Sequence, residues 1–98
     1  MLNEMDLTKE NLKKALYLTM NNQVLHKELV DWCSRKLAEV YSENDDLYLD
    51  EFIEIAKDID AQWELHLTNT FSLSELQRID LNRVTMPKDW LVRWYYAI

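Results

Sequence analysis

The chain contains no glycine in its 98 residues and only one proline, Pro87. Glycine is the residue that turns with positive φ, nucleotide-cradling loops and two-residue hairpins most often require. Its absence disfavours sheets built from tight hairpins and favours helices joined by short turns of Asn, Asp and Ser. The apolar share of 48% is sufficient to build a core at this length. We therefore expect one all-α domain, a compact bundle of about five short helices that spans residues 1–98.

The first two helices are predicted from apolar spacing and from capping residues. Thr8 is suited to be an N-cap, so the first helix is expected to run to about Met20, after a lead-in (1–7) that frays at its start. Asn22 is predicted to cap a second helix from Gln23 to about Tyr41. The residues predicted to be buried in these two helices are Leu12, Ala15, Leu16, Thr19, Leu25, Leu29, Trp32, Cys33, Leu37 and Val40.

Residues 43–64 carry most of the negative charge of the protein. They hold nine of the eighteen acidic residues and one base, Lys57. Apolar residues at steps of three and four, among them Phe52, Ile59 and Trp63, predict a third helix with one buried face. The acidic residues are then expected on its outer face. The members of this face that we select as candidate partner-binding residues are Asp46, Asp50, Glu51, Glu54 and Asp58.

Residues 63–71 are ambiguous between helix and strand, because their apolar residues also alternate with polar ones. A lone strand would leave its edges without partners, so a third helix that continues to about Asn69 is favoured. Ser72 and Glu75 fit a capping box, which predicts a fourth helix to about Arg83.

The last segment of the chain is rich in Trp and Tyr. Thr85 is predicted to cap a fifth helix, with Pro87 in its first turn. Aromatic residues occur almost all round this helix, so some of them are expected to be exposed and available as interface anchors. The candidates for this role are Trp90, Tyr95 and Tyr96.

The sequence offers little for catalysis or metal binding. An EF-hand loop needs regularly spaced oxygen ligands and a glycine, and a zinc site needs several Cys or His ligands. The chain has one cysteine, two histidines and no glycine. Cys33 lies on the predicted buried stripe of the second helix, where a structural thiol is the common case. We therefore expect a protein that is not an enzyme and that needs no cofactor.

The charge of the protein suggests the class of its partner. A net charge of −7 and a pI near 4.7 disfavour direct binding of nucleic acid, which requires clustered Lys and Arg. The same charge attracts basic proteins. The leading prediction is an inhibitor of immunity or antitoxin type, or a nucleic-acid mimic, that masks a basic surface on a cationic toxin or a nucleic-acid-binding protein.

The alternative prediction assigns the interaction to the aromatic C-terminus. In that case the protein is a small structural or regulatory subunit that docks through its Trp/Tyr helix, or forms a homodimer through it, and the charge only confers solubility.

The sequence also bears on location. A single cysteine precludes an intramolecular disulfide, and the acidic N-terminus lacks the basic and apolar segments of a signal peptide. No apolar run approaches the ~20 residues that cross a bilayer. We expect a cytoplasmic protein that does not enter the membrane.

Overall fold

The computed structural model describes residues 2, 4–43 and 51–98. Its elements are the α-helices α1 (Lys9–Met20), α2 (His26–Glu43), α3 (Glu51–Thr70) and α4 (Leu73–Leu76), a 3-10 helix (Leu81–Arg83), and α5 (Lys88–Ala97). These residues contain no strand. The predicted all-α fold with about five helices is therefore confirmed.

Helix α1 forms as its sequence predicts. The Thr8 hydroxyl accepts a hydrogen bond of 3.1 Å from the Asn11 amide, which satisfies one of the free N–H groups of the first turn. The buried residues of the helix are the four that were predicted, Leu12, Ala15, Leu16 and Thr19. The Thr19 hydroxyl donates to the carbonyl of Ala15, so this polar group is buried with its hydrogen bond made.

The connection from α1 to α2 differs from the prediction. Asn22 does not cap α2, because it adopts a left-handed conformation with φ of 62°, which Asn tolerates better than most residues. This turn lets the amides of Gln23 and Val24 donate back to the carbonyl of Leu18 at the end of α1. Helix α2 consequently begins at His26, and Leu25, predicted to be buried, is 49% exposed.

Helix α3 resolves the ambiguity of residues 63–71. It continues to Thr70, with Trp63 and Leu67 on the same buried face as Ile59, so the preference for helix over strand is confirmed.

The predicted fourth helix was too long. The capping box of Ser72 and Glu75 is present, but α4 ends at Leu76.

The early end of α4 has a local cause. The Asp80 carboxylate accepts a hydrogen bond of 3.0 Å from the Asn82 amide, and its backbone is extended. Asp80 thereby caps the 3-10 helix, and side-chain bonds of this kind compete with a continuing α-helix. The prediction that Thr85 caps α5 is also wrong: Pro87 occupies the N-cap position of α5 without a side-chain hydrogen bond.

The helices bury one continuous hydrophobic core. Helix α3 packs mainly on α2, and α5 packs mainly on α1. The lead-in contributes to this core, because Leu2 and Leu7 are buried and the Trp32 indole donates to the carbonyl of Met5 at 2.9 Å. The residues that are fully excluded from solvent include Leu12, Leu16, Leu29, Trp32, Cys33, Ile53, Ala56 and Ile59.

Candidate partner-binding surface

The outward face of α3 carries three exposed carboxylates, Glu51, Glu54 and Asp58. They follow one another at steps of three and four residues, so they lie in line along one side of the helix. The other two candidates from the acidic segment, Asp46 and Asp50, lie outside the described residues. Glu51, Glu54 and Asp58 form the acidic face of the described part of the chain.

Two members of the acidic face already have contacts within the protein. Glu54 forms an exposed ion pair with Lys57 at 3.1 Å. Asp58 accepts a hydrogen bond of 2.8 Å from the Trp94 indole and one of 3.4 Å from Gln62. Asp58 therefore links α3 to α5 in addition to contributing charge. Glu51 lines an open cleft with Lys9 of α1.

The remaining acids of α3 face a different neighbour. Asp60 and Glu64 line a groove toward α2 together with Ser34, Leu37 and Lys57. The negative charge of α3 is thus divided between two flanks of the helix.

Trp90 lies next to the acidic face. Its ring is half-buried, and it meets the ring of His66 edge-on at 5.6 Å and the ring of Trp94 at 6.3 Å. Asp58, Gln62, Trp90, Arg93 and Trp94 line a small groove of about 140 Å³ between α3 and α5. The fold therefore brings together two parts of the predicted site that are more than thirty residues apart in sequence.

Tyr95 and Tyr96 belong to another surface, beside α1. Tyr95 packs against Tyr17 with ring centres 6.4 Å apart, and the Lys13 ammonium lies 4.6 Å from its ring centre, within cation–π distance. Tyr96 meets Tyr95 edge-on at 5.2 Å and is 77% exposed. The predicted aromatic site thus divides into Trp90 on one side of α5 and the two tyrosines on another.

Sequence reasoning missed Tyr17 as a member of this tyrosine surface. Tyr17 is 54% exposed. A signal was present, because Tyr17 lies three residues after Lys14 and seven after Glu10, which places it on the polar side of α1. Its contact with Tyr95 depends on the pairing of α1 with α5, which the sequence does not specify.

Both histidines of the chain bind the same peptide group. The Met86 amide donates to His26 Nδ1 at 2.9 Å, and the carbonyl of Thr85 lies 3.0 Å from His66 Nε2. Because a carbonyl can only accept, His66 carries its proton on Nε2. Because Nδ1 of His26 accepts, His26 is neutral, with its proton on Nε2. Burial, and secondarily the nearby His66, lowers the pKa of His26 below its ordinary value.

The environment of the Cys33 thiol does not favour reaction as a nucleophile. It is fully buried, and burial raises its pKa well above the ordinary range, with a smaller contribution from the negative charge of Asp60. A thiol in this environment stays protonated at neutral pH and is a poor nucleophile. Its predicted place on the buried stripe of α2 is confirmed.

No group of three or more His, Cys, Asp or Glu side chains among residues 2, 4–43 and 51–98 is arranged to hold a metal ion. Among the helices that the structure describes, none combines the length and apolar character that crossing a bilayer requires.

Comparison of the chain with protein-family models, with curated proteins and with solved structures gives no match.

Proposed function

We propose that this protein is a non-enzymatic, cytoplasmic binding module whose acidic face docks on a basic surface of a partner protein. In its concrete form it is an inhibitor of immunity or antitoxin type, or a mimic of nucleic acid, that masks a cationic toxin or a nucleic-acid-binding protein. The observation that carries the proposal is the row of exposed carboxylates Glu51, Glu54 and Asp58 on one side of α3.

The electrostatics of α3 favour such a role. The helix has five acids against one base, Lys57, whereas α1 has three lysines against one acid, Glu10. A surface of one sign accelerates encounter with a surface of the opposite sign and selects against wrong partners. The exposed pair of Glu54 with Lys57 does not cancel this effect, because surface ion pairs contribute only about 0 to 1 kcal/mol and exchange readily.

The acidic face also has apolar neighbours that suit short-range contact. Leu65, two turns beyond Asp58 on α3, is 52% exposed, and Ala61 between them is exposed as well. Protein interfaces combine a small apolar centre with a polar rim. Leu65 would supply the centre, and the carboxylates would supply the rim that meets the cations of the partner.

The proposal is tested by binding measurements with the basic proteins encoded beside its gene, at low and at high salt. The double substitution Glu51→Gln and Glu54→Gln removes two negative charges from the acidic face. It is expected to lower the rate of association with the partner and to make that rate less dependent on salt, because charge acts mainly on the encounter. The matched control is Glu10→Gln with Glu4→Gln, which removes the same charge from exposed positions outside α3. Equal effects of the two double variants would contradict the proposal.

A second candidate function rests on a separate observation, the exposure of Tyr96 at 77% and of Tyr17 at 54%. Exposed tyrosines are common anchors of interfaces, so this surface suits a subunit that forms a homodimer or docks in a larger assembly. Light scattering after size exclusion distinguishes the two candidates. A dimer that is lost in Tyr96→Ala favours self-association, whereas a monomer at all concentrations favours the inhibitor.

A further inference from the structure

An open groove of about 750 Å³ lies between the C-terminal end of α3 and the segment that follows α4. Its residues are distinct from those of the acidic face. Its lining includes His66 and Thr70 of α3 and, from the segment after α4, Arg78 and Arg83. The volume falls within the ~300–1,000 Å³ that small-molecule sites usually enclose.

The groove has a positive lining in a protein of net charge −7. Its charged residues are Arg78, Arg83 and one acid, Asp80. The Asp80 carboxylate already has partners within the protein, because one of its oxygens accepts a hydrogen bond from the Asn82 amide and the other lies 3.9 Å from Nε of Arg83. The Arg78 amide donates to the carbonyl of Glu75, but its guanidinium has no hydrogen bond or ion pair among the described residues. The guanidinium of Arg78 is therefore available to an anion, and Arg83 lines the same groove.

The rest of the lining is apolar or already hydrogen-bonded. Val84 is buried, and Phe71 and Ile79 are half-buried, so they form an apolar wall. The His66 ring is fixed at both nitrogens, by the carbonyl of Thr85 at 3.0 Å and by the Thr70 hydroxyl at 3.4 Å. A few polar groups beside an apolar wall is the usual composition of a ligand site.

We propose that this groove binds a small organic oxyanion, a carboxylate or a phosphate monoester carried on an apolar body. The guanidinium groups of Arg78 and Arg83 take the oxyanion, since the planar fork of arginine matches the geometry of both groups. The apolar body packs against Phe71, Ile79 and Val84. The site is independent of the acidic face and would coexist with either function proposed above.

The test uses the full chain labelled with ¹⁵N and four probes: phenyl phosphate, phenylacetate, inorganic phosphate and benzyl alcohol. At least one aryl anion is expected to shift the amide signals of Thr70, Arg78 and Val84, with half-saturation at about 1 mM or below. Inorganic phosphate lacks the apolar body and benzyl alcohol lacks the anionic group, so both are expected to bind more weakly than the aryl anions. The two aryl anions distinguish a carboxylate site from a phosphate site.

Two variants test the role of the arginines. Arg78→Gln and Arg83→Gln are each expected to weaken binding of the aryl anion roughly tenfold, the usual effect of removing a charge-assisted hydrogen bond. The matched control is Arg93→Gln on α5, since Arg93 is also exposed and also lies 3.9 Å from an aspartate, Asp89. It is expected to leave binding unchanged.

Three results would overturn the proposal. The first is that neither aryl anion shifts any of these signals at about 10 mM, a concentration well above the expected half-saturation. The second is that benzyl alcohol binds as tightly as the anions. The third is that Arg93→Gln weakens binding as much as Arg78→Gln and Arg83→Gln do, which would mean that only the general charge of the protein had been measured.

Discussion

His26 couples the stability of this protein to pH. It must be neutral to accept the Met86 amide, and its pKa is lowered by burial and by His66. The folded state therefore binds this proton less readily than the unfolded state does. The stability that results is present above the unfolded pKa of about 6.5 and is lost as the pH falls through 6.5 toward the lower folded value.

We accordingly expect the free energy of unfolding to fall as the pH is lowered below about 6.5, by at most about 1.4 kcal/mol per pH unit from this one group. Urea unfolding followed by circular dichroism measures it. The variant His26→Gln has no proton to gain, so the difference between wild type and variant should shrink toward low pH. Two results would contradict the role given to His26. One is a stability difference between wild type and His26→Gln that does not change with pH, and the other is the same pH dependence of that difference for His66→Gln.

Cys33 provides a second test of a single residue. Its thiol is fully buried, and burial raises its pKa, so it is expected not to react with a disulfide reagent such as DTNB at neutral pH. Unfolding in guanidinium should release one reactive thiol. Rapid reaction of the folded protein would show that α2 is not packed as described.

Among the helices, α1 was predicted correctly from its N-cap to its buried residues, because all the signals for it are local. We expect Thr8→Ala to destabilise the protein by about 1 kcal/mol, since the hydrogen bond to the Asn11 amide is lost. Thr8→Ser keeps a hydroxyl at the same position and should retain most of the stability. Equal stabilities of the alanine variant and the wild type in thermal unfolding would contradict the cap.

The link between α3 and α5 predicts a different effect. Asp58→Ala leaves the partly buried indole of Trp94 without its acceptor, and we expect it to cost about 1 to 2 kcal/mol. The matched control is Glu54→Ala on the same face, which removes only an exposed ion pair with Lys57 and should change stability by about 0.5 kcal/mol or less. Chemical unfolding of both variants makes the comparison. Equal losses would mean that Asp58 contributes charge alone.

The errors of prediction concern places where distant or competing contacts decide the structure. The capping box of Ser72 and Glu75 predicts a fourth helix to about Arg83, but Asp80 accepts a hydrogen bond from the Asn82 amide and starts a 3-10 helix instead. Asn22 was predicted to cap α2, whereas it forms a turn in which the following amides donate hydrogen bonds to a carbonyl at the end of α1. The continuation of α3 to about Asn69 was predicted correctly, since α3 ends at Thr70, because an isolated strand would leave its edges without partners.

For the molecule as a whole, sequence reasoning identified the acidic segment and the aromatic helix, but not how they meet. The pairing of α5 with α1 places Tyr95 beside Tyr17, and the hydrogen bond of Trp94 with Asp58 places Trp90 beside the acidic face. The contact of His26 with Met86 spans sixty residues. Periodicity and capping signals are local, so contacts between distant segments cannot be read from them.

The organisation of charge also changes when the helices are assembled. The acids of α3 were predicted to form one outer face, yet Asp60 and Glu64 lie in the groove toward α2, and Asp58 has a structural partner. The acidic face is therefore narrower than the sequence suggests. A partner that recognises it would need cations spaced along one side of a single helix.

We propose that a cationic partner binds this protein at the outward face of α3. The most direct measurement is a titration of the ¹⁵N-labelled protein with an oligo-arginine peptide at low salt, read residue by residue. We predict that the largest shifts among the described residues occur at Glu51, Glu54, Asp58 and Ala61, and that added salt reverses them. Shifts concentrated elsewhere, or spread evenly over all exposed acids, would contradict the claim.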